Sequence, residues 1–138
     1  RYNLKSDLVE IANAGHQPAL LRSDKDFKEF PSSSVPLAVT KHKDESVYKL
    51  ESFKLNGGRI YCFTDGFSEC MNEKKQEIGI SGVKELIIKH QNTSLKKELE
   101  DATEEIRLRS LKKEISEKGI KENNDILDDD LTIIGIGH

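Results

Sequence analysis

Apolar residues recur in short strand-like runs over the first half of the chain and change to helical spacing in the second. Tyr2 to Leu4 reads as extended, Lys5-Ser6-Asp7 as a turn, and Leu8-Val9-Glu10-Ile11-Ala12 as the return limb of a hairpin. Asn13-Ala14-Gly15-His16 predicts a second tight turn, because Asn and Gly accept a positive φ that most residues resist. Ala19-Leu20-Leu21 predicts a short strand, and Ser23 to Pro36, with Pro31 and three consecutive serines, a polar loop. Val47 to Leu55 is extended, with Glu51, Phe53 and Leu55 on one face and Ser52 and Lys54 on the other. Asn56-Gly57-Gly58 is a hairpin-turn signal. Arg59 to Thr64, apolar on both faces, predicts a central strand covered on both sides.

Val83, Leu86, Ile87 and His90 stand at helical spacing and predict a helix over Ser81 to His90, with Ser81 as its N-cap. A second helix is predicted from Ser94 to Lys118. Ser94 caps it, Lys97 stands where a capping box wants Glu or Gln, and Gly119 stops it. Leu95, Leu99, Ala102 and Ile106 form one apolar stripe, and Leu108, Leu111 and Ile115 continue it after a shift of phase. Such a stripe packs on a core more often than on a partner helix. Glu122 to Asp125 reads as a polar loop before a last strand, Leu131 to Ile136.

Composition narrows the class. The chain has 138 residues, enough for one domain or a piece of one, and begins at Arg1, which predicts that it is not a complete gene product. Hydrophobic residues make up 35% and charged residues 34%, lean in core-forming material. Net charge is −3, and the lysines are interleaved with acids, so nothing points to nucleic acid. No apolar run approaches the roughly 20 residues that span a bilayer, and no signal peptide is visible. The expected location is cytoplasmic, with any membrane tether lying upstream of Arg1. Cys62 and Cys70 are too few for a disulfide framework and read as buried free thiols. His16, His42, His90 and His138 are scattered without the spacing of a zinc site.

The candidate chemistry lies at two acidic strand ends. One is Tyr61-Cys62-Phe63-Thr64-Asp65-Gly66; the other is Asp128-Asp129-Asp130-Leu131-Thr132-Ile133-Ile134-Gly135-Ile136. Thr-Asp-Gly alone is an ordinary turn, and a run of aspartates alone is an ordinary solvated loop. Together they suggest more. Two such strands side by side would crowd carboxylates at one end of a sheet, and a bound divalent cation is the usual cure for that repulsion.

The ordered set of motifs resembles a known family. Asn13-Ala14-Gly15-His16-Gln17-Pro18 comes first. Leu55-Asn56-Gly57-Gly58-Arg59 follows and leads to Phe63-Thr64-Asp65-Gly66-Phe67-Ser68-Glu69. Ile78-Gly79 and Asp129-Asp130-Leu131-Thr132 come last. This is the order seen in SpoIIE-like phosphatases, the bacterial branch of the metal-dependent PPM (type-two-C) serine/threonine phosphatases. The match runs over nearly the whole chain.

The resemblance implies an α+β fold, a layered α/β/β/α sandwich forming a single domain over residues 1–138, with a binuclear Mn²⁺ or Mg²⁺ site at one end of the sheets. It implies that Asp65 and Asp129 are metal ligands and that the attacking group is a water or hydroxide held by the metals, with no protein nucleophile. Oxygen donors suit these hard cations. Supporting roles are expected of Gly66, which leaves room for close approach, of Asp130 behind the ligands, and of Glu69, bracing the loop. Asn13 belongs to the Asn-Ala-Gly-His turn, which reads as conformational, with His16 as a proton donor near the metals the sharper alternative.

The implied substrate is a phosphoserine or phosphothreonine in a regulatory partner, typically a STAS-type anti-sigma-factor antagonist. The competing reading is a phosphatase-fold module that binds partners without catalysis. There are departures from the family pattern. Gly58 stands where Asp is usual, and Ala38 where Gly is usual. The family's Asp-x-x-Gly-His-Gly-like motif, which carries a metal-bridging aspartate, is not in the chain. The expectation is therefore the C-terminal portion of a phosphatase domain, weak or inactive alone, with self-association covering its sheet edges.

Overall fold

The computed structural model describes residues 1–24, 26–37, 39, 48–92, 94–118 and 130–137, with side chains described outside 111–118. These fall into two compact units, Arg1–Cys62 with Ile136–His138, and Phe63–Gly135.

In the first unit, β1 (Tyr2–Asn3) and β2 (Leu8–Ile11) form the predicted antiparallel hairpin, with Tyr2 opposite Val9. The side chain of Asn3 accepts hydrogen bonds from the N–H groups of Lys5 and Ser6, and the Tyr2 hydroxyl donates to Asp7, so the turn is closed by its own polar groups. β5 (Glu51–Lys54) lies antiparallel along the other edge of β2, with Val9 opposite Phe53. A second sheet starts from β3 (Ala19–Ser23) and runs in the order β4-β3-β6-β7.

Two local expectations need correction here. The polar loop expected over Ser23 to Pro36 contains a strand, β4 (Asp26–Phe30), antiparallel to β3. Its sequence, Asp-Phe-Lys-Glu-Phe, has no period-two apolar pattern, because β4 is an edge strand and its charges blunt that edge. It is held by Phe30, buried and stacked on Phe53 at 4.8 Å between ring centres. The Lys28 ammonium sits 4.5 Å from the Phe30 ring centre and 3.2 Å from Glu51.

Asn56-Gly57-Gly58 does turn the chain. Asn56 and Gly57 have φ of +49° and +76°, and the Gly58 N–H donates to the Leu55 carbonyl at 2.8 Å. It does not make a hairpin, however. β5 pairs with β2, whereas β6 (Arg59–Phe63) pairs with β3, so the turn carries the chain from one sheet to the other. The carboxylate of Asp7 holds it from outside by accepting from the Asn56 N–H at 2.8 Å. Gly58 has a packing reason of its own: a Cβ there would lie 2.8 Å from the Arg22 carbonyl oxygen.

β6 is an interior strand, as predicted, and Ile60, Tyr61 and Phe63 are buried. Arg22 and Arg59 face each other in the β3–β6 register, both buried, and the Arg22 guanidinium lies 5.6 Å from the centre of the Tyr61 ring. Val9, Ala19, Phe30, Leu55 and Ile60 form one core cluster drawn from both sheets. Cys62 and Cys70 are free thiols, as expected, but only Cys70 is fully buried. Cys62 is half-buried, packed on the edge of that cluster, and burial pushes its thiol up.

The second unit begins with α1 (Asp65–Ser68), which follows β6 directly, and continues with α2 (Gly79–Lys89) and α3 (Leu95–Lys118). α2 buries Val83, Leu86 and Ile87 as the spacing predicts, but it starts two residues before Ser81. Ser81 is therefore inside the first turn, with its hydroxyl on the Ile78 carbonyl rather than at a cap. Ser94 does cap α3, accepting at its Oγ from the Lys97 N–H.

Ala102 and Ile106 are buried as the first stripe predicts, but Leu108, expected to continue it, is exposed, and the side chains of Leu111 and Ile115 lie outside those described. β7 (Ile133–Ile136) follows; at Gly135 a Cβ would come within 2.9 Å of the Leu95 side chain, so the glycine admits the first turns of α3. The Glu122–Asp125 loop, Gly119, Ala38, Asp128 and Asp129 lie outside the described residues. No helix among the described residues is long and apolar enough to cross a membrane. The mixed α/β topology with open sheets matches the layered sandwich of the PPM type.

Candidate metal centre

Asp65 is the first residue of α1; the apolar run of β6 ends at Phe63, and Thr64 between them is the cap. Its side chain is exposed, and its Oδ1 accepts from the Gly66 N–H at 3.2 Å. Its carbonyl oxygen is enclosed by the turn, accepting from the Glu69 N–H at 2.8 Å and the Ser68 hydroxyl at 3.0 Å. Phe67, fully buried and 6.3 Å from Phe63 between ring centres, anchors the turn from the inside. The carboxylate makes no ion pair among the described residues.

The backbone of Asp130 is tied to Thr64, the residue before Asp65. The Thr64 hydroxyl donates to the Asp130 carbonyl at 2.6 Å, the Thr132 N–H donates to that hydroxyl at 3.0 Å, and the Thr64 N–H donates to the Thr132 carbonyl at 3.0 Å. The segment that follows Asp129 is thus hydrogen-bonded to the residue that precedes Asp65. Asp129 itself lies outside the described residues.

The supporting residues divide. Gly66 and Glu69 are in the Asp65 turn; the brace that Glu69 supplies is its backbone N–H, and its side chain is exposed. Asn13 acts as the turn-former that its sequence context predicts. Its Nδ2 donates to the carbonyls of His16, Gln17 and Phe30 at 3.0–3.2 Å, and its Oδ1 accepts from the His16 N–H. His16 is exposed, with Nδ1 3.1 Å from the Gln17 carbonyl.

Every candidate donor here is oxygen, which suits Mn²⁺ or Mg²⁺. The described part of the set is incomplete: among the described residues no group of three His, Cys, Asp or Glu side chains is placed to hold an ion.

Two features carry no obvious sequence signal. The Thr64 bridge joins residues 66 and 68 positions apart. Glu105 on α3 receives Lys89 at 2.7 Å and the His90 Nε2 at 2.6 Å from the end of α2, and Arg109 from its own helix. Only the Glu105–Arg109 pair, four residues apart, was open to reading from spacing.

The family model described as stage II sporulation protein E (SpoIIE) matches residues 1–138. The chain belongs to the SpoIIE family. Its fold is also similar to the crystal structure of the RsbU and RsbW domains of Rv1364c from Mycobacterium tuberculosis. The TM-score is 0.55 at 19% sequence identity, over 97% of this chain and 33% of that one. The SpoIIE-family chain therefore spans about a third of the length of that relative. No curated protein matches it.

Proposed function

We propose that this SpoIIE-family chain serves a metal-dependent protein serine/threonine phosphatase, acting on a phosphoserine or phosphothreonine of a regulatory partner protein. A STAS-type anti-sigma-factor antagonist is the partner that fits the family. The observation that supports the reading is the bonding of Thr64 to Asp130 and Thr132, which joins the two aspartate-bearing segments. In this reading Asp65 and Asp129 hold Mn²⁺ or Mg²⁺. When bound, such a pair of cations supplies Lewis acidity at phosphorus and a nucleophile from water at neutral pH. Gly66 keeps the backbone beside Asp65 open to a phosphate, and Glu69 closes the turn behind it. No side-chain nucleophile is required of this chain.

A second reading is a phosphatase-fold module that binds partners without catalysis. Assay of the protein at its natural length, with Mn²⁺ and a phosphoserine protein substrate, separates the two. Asp65→Asn is expected to take turnover to background while circular dichroism stays unchanged. Near-normal turnover by that variant would sink the phosphatase reading.

A further inference from the structure

Thr64 stands at the N-cap of α1, where a threonine hydroxyl ordinarily accepts from an N–H two or three residues on. Here it makes no such bond. The Phe67 N–H is taken by the Thr64 carbonyl at 3.1 Å instead, and the hydroxyl is left for another partner. It donates to the Asp130 carbonyl and accepts from the Thr132 N–H, beside the backbone bond from the Thr64 N–H to the Thr132 carbonyl. Two polar groups of one residue, its N–H and its hydroxyl, thus make three hydrogen bonds to a single remote segment. Thr64 is only half-buried, so water could satisfy its hydroxyl. Loss of the helix cap is offset by a tie between two strand ends. The extended backbone at Thr64 (φ −76°, ψ 162°), which suits a β-branched residue, places Asp65 next in line.

We infer that Thr64 is a positioning residue. Through its hydroxyl it fixes the backbone of Asp130 against the residue that precedes Asp65, so that divalent-cation affinity depends on a side chain that need not touch the cation. The inference rests on the proposed reading of Asp65 as a ligand. Loss of an outer hydrogen-bonding partner of a ligand typically weakens metal binding about 10–100-fold.

The test uses the protein at its natural length and Mn²⁺ alone as probe, in calorimetric titration, with thermal melting and Mn²⁺-dependent turnover measured beside it. Thr64→Val keeps the shape and removes the hydroxyl. It is expected to weaken Mn²⁺ binding about 10–100-fold, with turnover recovering at saturating Mn²⁺. Thr64→Ser keeps the hydroxyl and is expected to bind Mn²⁺ as the wild type does. If Thr64→Val does not fold, Thr64→Ala replaces it with the same expectation.

Wild-type Mn²⁺ affinity in the folded hydroxyl-less variant, with only the melting temperature lowered, would show a merely structural role and overturn the inference. The outcome is then read against Asp65→Asn. If that variant loses Mn²⁺ binding while Thr64→Val keeps it, the positioning role of Thr64 is wrong and the metal centre stands. If Asp65→Asn binds Mn²⁺ unchanged, the metal-centre reading falls and the inference falls with it.

Discussion

Glu105 shows how much one residue's setting decides. Burial alone would push its carboxyl up, but hydrogen bonds from Lys89, His90 and Arg109, with the charge of Arg109, outweigh that and bring it down to about 2. A carboxyl whose folded pKa lies below its unfolded one contributes stability that is present above the unfolded value. That stability is lost as pH falls through the folded one. The link between α2 and α3 should therefore hold through neutral pH and weaken as pH drops from the ordinary carboxylate range toward about 2. Glu105→Gln is expected to destabilise the protein by about 1–3 kcal/mol at pH 7, the range for charge-assisted hydrogen bonds, discounted because Lys89 is largely exposed. In urea unfolding at stepped pH, the wild-type advantage should shrink below pH 4.5. A constant difference down to pH 2.5, within that window, would assign the effect to packing instead.

Elements were legible where their chemistry is local. The β1–β2 hairpin, the interior strand β6, the apolar face of α2 and the Ser94 cap of α3 all follow from period or turn residues within a few positions. β4 was not legible, because an edge strand carries Asp, Lys and Glu where a two-sided strand would carry apolar residues. The Asn56-Gly57-Gly58 turn was read correctly as a turn and wrongly as a hairpin. A local signal sets the backbone angles but not the strand that lies alongside afterwards, and here β6 finds β3. Gly57→Ala isolates the local part, since a Cβ at Gly57 would meet nothing within 4 Å. Its cost comes from the φ of +76° alone and is expected to be about 1 kcal/mol in denaturant unfolding. A loss of several kcal/mol would mean that the turn is coupled to the sheets more tightly than its contacts indicate.

At the scale of the whole molecule, family membership covers all 138 residues, while among the described residues no group of three His, Cys, Asp or Glu side chains is placed to hold an ion. High affinity for Mn²⁺ or Mg²⁺ needs several converging oxygens. Mn²⁺ titrated into the 138-residue chain by itself is therefore expected to bind weakly, with Kd on the order of a millimolar. Micromolar binding would show that a full ligand set lies within the chain. The sequence by itself determined the family, the strand-then-helix order and the two acidic strand ends, because these reside in motif order and in periods of two and 3.6 residues. Only the tertiary structure decided which strands pair, that Glu105 gathers Lys89, His90 and Arg109, and that Thr64 forgoes its own helix to hold Asp130 and Thr132. The physical reason is sequence distance. A hydrogen bond between residues 66 or 68 positions apart leaves no trace in local spacing, since it forms only after the sheet has brought its strand ends together.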